Sequence, residues 1–324
     1  MIRFVTRRLL WAIPTLLVIT FLVFWAIRLG TDPVASYTRL NPRATEETIQ
    51  KYKDANGLNG TIVQQYVAWL HNFVTFDWGG SIKGNRPVWP ELKSAIANTL
   101  VLGICATVVG VSIGLLIGII SAVRPRSVFD SGSTTAAFVG ISIPPFISAV
   151  LLQLLFAITI PAWIPWLKLP VAGTYPPGHE GFDPVLRAKY LILPVTVVAI
   201  QTIAVYSRYM RASLLEVQNS DYLRTARAKG ISERRILIKH ALRNALIPIV
   251  TFAAIDVGAI IGGLIVTERI FRTSGMGDFF LTAYENGDFP QLMPWTVFVV
   301  LGVILANLAA DTLYAVLDPR IRLD

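Results

Sequence analysis

The sequence predicts an all-α, polytopic membrane protein with six transmembrane helices and with both termini on the inner side. The first observation is composition: 54% of the 324 residues are apolar, 15% are charged, and the mean hydropathy is +0.58. A soluble domain is typically about 45–50% apolar and about 25% charged, so a disordered chain, a coiled coil and most soluble enzymes are excluded. The other observations are six long apolar runs and an uneven distribution of Lys and Arg.

Each of the six apolar runs is long enough to cross a bilayer, which takes roughly 20 mostly apolar residues. They cover residues 9–27, 97–123, 135–160, 190–210, 245–267 and 292–317. The second and third runs contain no charge, whereas the fifth contains Asp256 and the sixth contains Asp311. Runs of this length favour helices over core strands.

The first run also permits interpretation as a secretory signal, because Arg3, Arg7 and Arg8 precede it. However, the run is longer than a typical signal core, and residues 28–32 contain no small-x-small cleavage site. We therefore prefer an uncleaved first span.

The distribution of Lys and Arg sets the orientation. With the N-terminus inside, the inner segments carry 16 of these residues and the outer segments carry 13. Seven of the outer ones lie in a loop of about 67 residues, which is long enough to be largely exempt from the positive-inside rule. The resulting division is residues 1–29 with the first helix, an extracytoplasmic domain of residues 30–96, and a five-helix core of residues 97–324.

The extracytoplasmic segment contains a predicted amphipathic helix. Its apolar face is formed by Ile62, Tyr66, Trp69 and Phe73. This face fits a small cap packed on the membrane helices. It also fits a surface that docks a soluble partner, and the two interpretations are compatible.

The inner loop of residues 208–244 is long, basic and predicted to be helical on both sides of Gly230. Asn219 and Ser220 are candidate N-caps for its first helix, and Ser232 is the candidate for its second. A basic loop attracted to anionic membrane lipid is one interpretation. A helix–Gly–helix elbow that fits a groove on another protein is the other.

Several residues inside the apolar runs carry information of their own. Small residues four apart let helices approach closely, which here concerns Gly110, Gly114, Gly118, Gly258 and Gly262.

Pro144 and Pro145 interrupt the third run, and the carbonyls that they free need other partners. The polar residues Asp256, Gln153 and Ser142 are candidates for a translocation pathway. Asp256 is one because intramembrane acids usually face a bundle interior or a water-filled cavity. Asp311 fits a structural hydrogen bond or an interfacial ion pair equally well.

Several common sites are missing from the sequence. There is no G-x-x-x-x-G-K-[ST] loop, no H-E-x-x-H, no G-x-S-x-G and no Cys/His cluster, and Cys105 is the sole cysteine. We therefore expect no metal site, no cofactor on this chain and no enzymatic activity of the chain itself. The net charge of +9 would suggest nucleic acid on a soluble protein. Here it follows from the basic inner segments, so no nucleic-acid partner is expected.

The inner loop resembles a known motif. Residues 221–230 read Asp-Tyr-Leu-Arg-Thr-Ala-Arg-Ala-Lys-Gly, and residues 240–248 read His-Ala-Leu-Arg-Asn-Ala-Leu-Ile-Pro. This pattern resembles the cytoplasmic coupling motif of permease subunits of ABC importers, most closely in the dipeptide and oligopeptide branch. Arg224-Thr225-Ala226 replaces the Glu-Ala-Ala of the wider superfamily, which favours the peptide branch over sugar or amino-acid importers. Further resemblance covers residues 57–59, 65–70, 77–81, 262–277, 307–314 and 318–320.

The resemblance implies a multi-pass protein of the bacterial inner membrane that forms half of a pathway for peptides. It implies a second permease subunit, two ATP-binding subunits that hold ATP and Mg, and an extracytoplasmic binding protein that delivers substrate. The residues implied in coupling to the ATPase are Tyr222, Arg224, Thr225, Ala226, Lys229, Gly230, Ser232 and Glu233. Nickel, glutathione or another small solute are alternative substrates within the branch. An ion-driven secondary carrier that uses Asp256 or Asp311 is a distant alternative.

Overall fold

The computed structural model of the chain describes residues 2–30 and 32–317, so the Asp318-Pro319-Arg320 part of the resemblance lies outside the described residues. Within those ranges the regular structure is helical, and two extended segments meet only at an isolated bridge between Gly80 and Pro87. The predicted all-α class is confirmed. The helices are α1 (Ile2–Gly30), α2 (Pro33–Leu40), α3 (Glu46–Ala55), α4 (Ile62–Val74), α5 (Val88–Val123), α6 (Val128–Ser142), α7 (Pro145–Leu154), α8 (Pro184–Gln218), α9 (Asp221–Ala228), α10 (Glu233–Arg235), α11 (Leu242–Ala245), α12 (Ile247–Ile261), α13 (Ile265–Phe271), α14 (Met276–Asn286) and α15 (Phe289–Leu317). Short π-helical segments lie at Leu155–Thr159 and Ile236–Ala241, and a 3-10 turn lies at Pro165–Leu167.

Four of these helices, α1, α5, α8 and α15, are long and apolar enough to cross a membrane alone. Two further candidates are bent pairs. The pair Val128–Ser142 and Pro145–Thr159 is bent by 101°, and the pair Glu233–Ala245 and Ile247–Ile261 is bent by 43°. The described residues therefore offer four to six spans, and the count of six stays a prediction.

The third predicted span is broken at its two prolines. Pro144 has no N–H, so the carbonyl of Gly140 loses its usual helical donor. Gln201 of α8 donates its side-chain amide to the carbonyls of Gly140 and Ile143, at 2.9 Å each. A polar side chain from another helix thus satisfies the backbone at the break, and sequence reasoning had not selected it.

Two helices end at other residues than the apolar runs that predict them. Helix α8 continues to Gln218, so the segment predicted as an inner loop from residue 208 begins as part of this helix. Helix α12 ends at Ile261 instead of near residue 267. The chain turns there at Gly263, whose φ is +98° and where a Cβ would lie 2.3 Å from the backbone nitrogen of Gly277. Only glycine fits that approach.

By its internal contacts the chain divides into two units. Unit 1 comprises the residues up to 99 together with residues 261–265 and 274–305. Unit 2 comprises residues 100–260, 266–273 and those from 306 onwards. The three-part division proposed from the sequence stays a prediction.

The core of unit 1 forms where α4 packs on α1 and α15. Tyr66 is buried beside Phe24 and Phe289, with the Phe24 and Tyr66 rings edge to face at 5.5 Å. The Tyr66 hydroxyl shares a hydrogen bond with the Thr20 hydroxyl at 2.9 Å and donates to the carbonyl of Leu17 at 3.1 Å. The amphipathic helix predicted from the sequence is present, and its apolar face packs against other helices.

The core of unit 2 includes a close crossing of α5 and α8. A Cβ at Gly110 would lie 2.5 Å from the Cβ of Thr202, and one at Gly118 would lie 2.5 Å from the carbonyl oxygen of Ser207. Gly114 is similarly close to Tyr206, at 3.0 Å from its Cβ. The three glycines of α5 thus lie along the helix where α8 leaves no room for a side chain.

Candidate coupling segment and intramembrane acid

We call residues 221–245 the elbow. Its first helix, α9, ends in a glycine C-cap. The N–H of Gly230 donates to the carbonyl of Arg227 at 2.9 Å, and the N–H of Ile231 donates to the carbonyl of Ala226 at 3.3 Å. This pair of bonds is the Schellman motif, which places the C′ residue in the left-handed region. Gly230 has a φ of +74°, so the glycine is required by backbone conformation.

The packing around Gly230 does not require a glycine. A Cβ added at Gly230 would meet nothing within 4 Å. A larger residue here would strain the backbone without colliding with a neighbour. Its side chain would project from the exposed turn of the elbow.

Within unit 2 the elbow is anchored to α8 by apolar side chains. Leu223 of α9 and Ile236 of the second half are both almost fully buried, and they join a cluster with Met210 and Leu214 of α8. Burying a leucine side chain contributes about 1.5–3 kcal/mol. The elbow therefore has one apolar side fixed to α8 and one polar side left open.

The exposed side carries most of the residues implied in coupling. Exposed members are Tyr222, Arg224, Thr225, Lys229, Gly230, Ser232 and Glu233, whereas Ala226 is half-buried. Arg227 pairs with Glu233 across the turn, with Nε 2.9 Å from Oε1. The Tyr222 hydroxyl accepts a hydrogen bond from the Asn244 amide at 2.7 Å. These contacts connect the two halves, and sequence reasoning had selected neither Arg227 nor Asn244.

The predicted N-caps have the right positions but not the expected bonds. Ser220 directly precedes α9, and Ser232 directly precedes α10, yet neither makes a side-chain capping bond. The Ser220 hydroxyl instead donates back to the carbonyl of Val217 at 2.6 Å. Asn219 is the C-cap of α8, and its side-chain amide donates to the carbonyl of Leu215 at 3.1 Å.

Asp256 lies within α12 and is partly exposed. Its Oδ2 accepts a hydrogen bond from the Tyr206 hydroxyl of α8 at 2.8 Å. The other predicted pathway residues have structural bonds. Gln153 donates to the carbonyl of Val171 at 2.8 Å, and the exposed Ser142 donates to the carbonyl of Phe138 at 2.8 Å. Their assignment to a pathway stays a prediction.

The remaining selected residues are placed as follows. Gly258 is buried within α12, and Gly262 lies in the turn after it. Asp311 is half-buried in α15. Among the described residues no group of three or more His, Cys, Asp or Glu is arranged to hold a metal ion.

Unit 1 contains a buried polar contact that sequence reasoning missed, and we call it the Asp288 junction. Asp288 Oδ2 accepts from the Ser81 hydroxyl at 2.5 Å and from the backbone N–H of Ile82 at 3.0 Å. Its Oδ1 accepts from the N–H of Gln291 at 3.3 Å. Burial raises the pKa of Asp288 to about 6, although the bonds from Ser81, Ile82 and Gln291 lower it.

Two family descriptions cover almost the whole chain. The family model described as "Binding-protein-dependent transport system inner membrane component" matches residues 114–323. A second family model, for the N-terminal part of such membrane components, matches residues 1–102. The chain belongs to this family. The elbow and Asp256 both lie within the larger matched region.

Curated relatives align with 99% of this chain. The "Oligopeptide transport system permease protein AppB" of Bacillus subtilis is 36% identical over 323 residues, covering 99% of each chain. The "Dipeptide transport system permease protein DppB" of Escherichia coli K12 is 33% identical, again covering 99% of each. The "Di/tripeptide transport system permease protein DppB" of Pseudomonas aeruginosa is 35% identical and covers 99% of each.

A solved structure aligns with the structure of this chain. A chain of the methionine ABC transporter MetNI in an inward-facing conformation aligns with a TM-score of 0.55 and 19% identity. The alignment covers 72% of this chain and 98% of that one. This likeness shows that the two chains share a fold.

Proposed function

We propose that this chain is a transmembrane subunit of an ATP-driven importer and forms half of a pathway for di- and oligopeptides. The observation that carries the proposal is the full-length similarity to permeases named for dipeptides, tripeptides and oligopeptides. In this account the chain crosses the bacterial inner membrane six times with both termini inside. The elbow then lies on the cytoplasmic side.

The partners follow from the same proposal. A second permease subunit completes the pathway, two ATP-binding subunits bind and hydrolyse Mg-ATP, and an extracytoplasmic binding protein delivers the peptide. The elbow supplies the contact with one ATP-binding subunit, because its apolar side is anchored and its polar side is exposed. An anchored helical segment transmits a displacement to α8 instead of absorbing it.

The work of the chain is mechanical and not catalytic. The sequence has no phosphate-binding loop, so the free energy of ATP hydrolysis has to reach the membrane helices through a contact. Leu223 and Ile236 connect the elbow to α8, and the glycines of α5 hold α8 close to α5. Movement at the elbow would therefore shift these two helices together.

Uptake by cells that carry the complete transporter tests the substrate. Cells with and without this chain are compared for uptake of a radiolabelled dipeptide, with unlabelled tripeptide, nickel and glutathione as competitors. The proposal expects uptake that depends on this chain and on ATP and that is inhibited by peptides. Inhibition by nickel or glutathione but not by peptides would contradict the peptide assignment.

A second measurement tests the class. The elbow assignment expects the ATP-binding subunits to copurify with the tagged chain from detergent. Uptake that persists without ATP but collapses with the ion gradient would contradict an ATP-driven importer.

A further inference from the structure

Asp256 and Tyr206 form a hydrogen-bonded pair within two candidate membrane spans. Asp256 lies nine residues into α12, about 14 Å along the helix from Ile247. Tyr206 lies about 18 Å from the end of α8 at Gln218 and about 33 Å from its start at Pro184. An ionisable group at such depth is costly in hydrocarbon and is usually directed towards protein or water.

The tyrosine holds the carboxylate in place. Tyr206 is only 1% exposed, and its ring lies 5.7 Å from that of Phe252 on α12. Its Cβ lies where Gly114 leaves space on α5. A side chain packed between two helices presents its hydroxyl in a fixed direction, so Oδ2 of Asp256 has a fixed donor.

The other carboxylate oxygen is available. Among the described residues Asp256 accepts a hydrogen bond only from Tyr206, and no Lys, Arg or His nitrogen lies within 4.0 Å of it. Ala253 and Ala259, three residues to either side on α12, are small and at least partly exposed. Residues three apart are neighbours on a helix surface, so these alanines leave room beside the carboxylate.

A contrast within unit 2 supports this interpretation. Asp130 is buried and paired with Arg211, with Nε 2.6 Å from Oδ1 and a second bond of 2.8 Å. That carboxylate has its cation within the chain. Asp256 has a neutral donor, an accessible side and no cation among the described residues.

We propose that Asp256, held by Tyr206, is a subsite in the translocation pathway for a cationic group of the substrate, an ammonium or a guanidinium. This inference rests on the proposed function, because it takes the substrate to be a peptide. A peptide supplies such a group either as its N-terminal ammonium or as a basic side chain. A charge-assisted hydrogen bond to the free oxygen would attract either one.

The test compares uptake by the complete transporter with wild-type chain, Asp256→Asn and Asp256→Glu. Asparagine has nearly the same shape and its carbonyl still accepts from Tyr206, so the packing is retained while the charge is removed. Asp311→Asn removes the other intramembrane acid and is the matched control. The substrates are Ala-Ala, Ala-Lys, Ala-Glu and N-acetyl-Ala-Ala, each as a radiolabelled peptide at a saturating concentration of binding protein.

The readout is the ratio of variant to wild-type uptake for each peptide, because this ratio cancels the preference of the binding protein. A basic side-chain site predicts that Asp256→Asn lowers Ala-Lys uptake about tenfold, the equivalent of 1.4 kcal/mol, and the others less than twofold. An N-terminal ammonium site predicts an equal loss for the three free peptides and little loss for the acetylated one. Asp256→Glu should restore at least part of the lost uptake, and Asp311→Asn should not reproduce the pattern.

Two results would overturn the inference while leaving the proposed function intact. One is unchanged uptake of every peptide by Asp256→Asn. The other is an equal loss for all four peptides, including the acetylated one, because that pattern indicates a structural role. Failure of the wild-type transporter to take up any of the peptides would contradict the proposed function and the inference with it.

Discussion

The elbow and the Asp288 junction both fix a short segment beside a helix, but they use different interactions. The polar bonds between residues of the elbow span at most the 22 residues from Tyr222 to Asn244, and the Ser213 hydroxyl of α8 donates to the carbonyl of Ala245, 32 residues away. In the junction the Ser81 hydroxyl bonds to a carboxylate 207 residues away. The elbow is exposed on one side, whereas Asp288 is only 1% exposed.

Because their contacts differ, the elbow and the Asp288 junction differ in how freely they can move. The elbow holds its own shape through the turn at Gly230 and the Tyr222–Asn244 bond, and the exposed Arg227–Glu233 pair adds little. It can therefore move as one body together with the part of α8 on which it packs. The Asp288 junction cannot shift without leaving buried donors unpaired, so it holds its position in unit 1.

Removal of the carboxylate from the Asp288 junction should lower the free energy of unfolding more than the substitutions in the elbow. Asp288→Ala leaves the Ser81 hydroxyl and the Ile82 N–H buried without their acceptor, and each unpaired group costs about 1–3 kcal/mol. We expect a loss of about 2–6 kcal/mol, seen as a lower thermal unfolding midpoint in detergent. Asp77→Ala, which removes an exposed carboxylate of the same unit, is the control. A midpoint for Asp288→Ala equal to that of the control would contradict the role of the junction.

Truncation of Leu223, the buried side chain that anchors the elbow, should cause the next largest loss of stability. Leu223→Ala removes a fully buried side chain, a change that typically costs about 2–5 kcal/mol. We expect α9 to loosen while α8 stays folded, because Met210 and Leu214 of α8 keep their own buried positions in the cluster. Limited trypsin digestion should then cleave faster at Arg227 and Lys229. Ile238→Ala, at an exposed apolar side chain, should leave the cleavage rate unchanged, and equal rates for both variants would argue against the anchor.

The junction should also make stability depend on pH. The pKa of Asp288 is about 6 in the folded chain and 3.8 in the reference state. Between these values the folded chain binds more protons than the unfolded chain, so the free energy of unfolding falls as pH rises from about 4 to 7. The shift corresponds to about 3 kcal/mol over the full window.

The slope of unfolding midpoint against pH is the measurement for this prediction. Asp288→Asn cannot titrate, so its slope should be flatter than that of the wild type between pH 4 and pH 7. Identical slopes would show that Asp288 does not titrate in this window. The absolute stability of the variant is not the readout, because an asparagine cannot accept at both of its terminal atoms.

The smallest effect is expected at the exposed ion pair of the elbow. The side chains of Arg227 and Glu233 are 42% and 72% exposed, and exposed pairs contribute typically less than about 1 kcal/mol. Arg227→Gln should therefore shift the unfolding midpoint by no more than a degree or two, while 1 M salt should abolish even that difference. A large loss of stability would show that the pair holds the elbow together more than its exposure indicates.

The same comparison shows what sequence could predict. The helix break at Gly230 was predictable because its signals are local: Gly230 stands just past the end of α9, and Ser232 stands just before the next helix. The junction was not predictable, because nothing near Ser81 in sequence indicates a partner at position 288. Hydropathy located the apolar runs but not the end of α8, because helical hydrogen bonds continue past the continuous apolar run into the mixed residues 211–218. Gln201 could have been suspected, since the carbonyls freed at Pro144 need a donor.

We propose that the elbow couples ATP hydrolysis to transport, and the variant Gly230→Leu tests this coupling. Gly181→Leu is the matched control, because Gly181 also has a positive φ, +89°, with no atom within 4 Å of an added Cβ, yet lies outside the elbow. Both variants are measured for membrane insertion, ATP hydrolysis and peptide uptake in the complete transporter. We expect Gly230→Leu to insert normally and to hydrolyse ATP with uptake lost, while Gly181→Leu keeps both activities. Normal uptake together with substrate-stimulated ATP hydrolysis in Gly230→Leu would contradict the account.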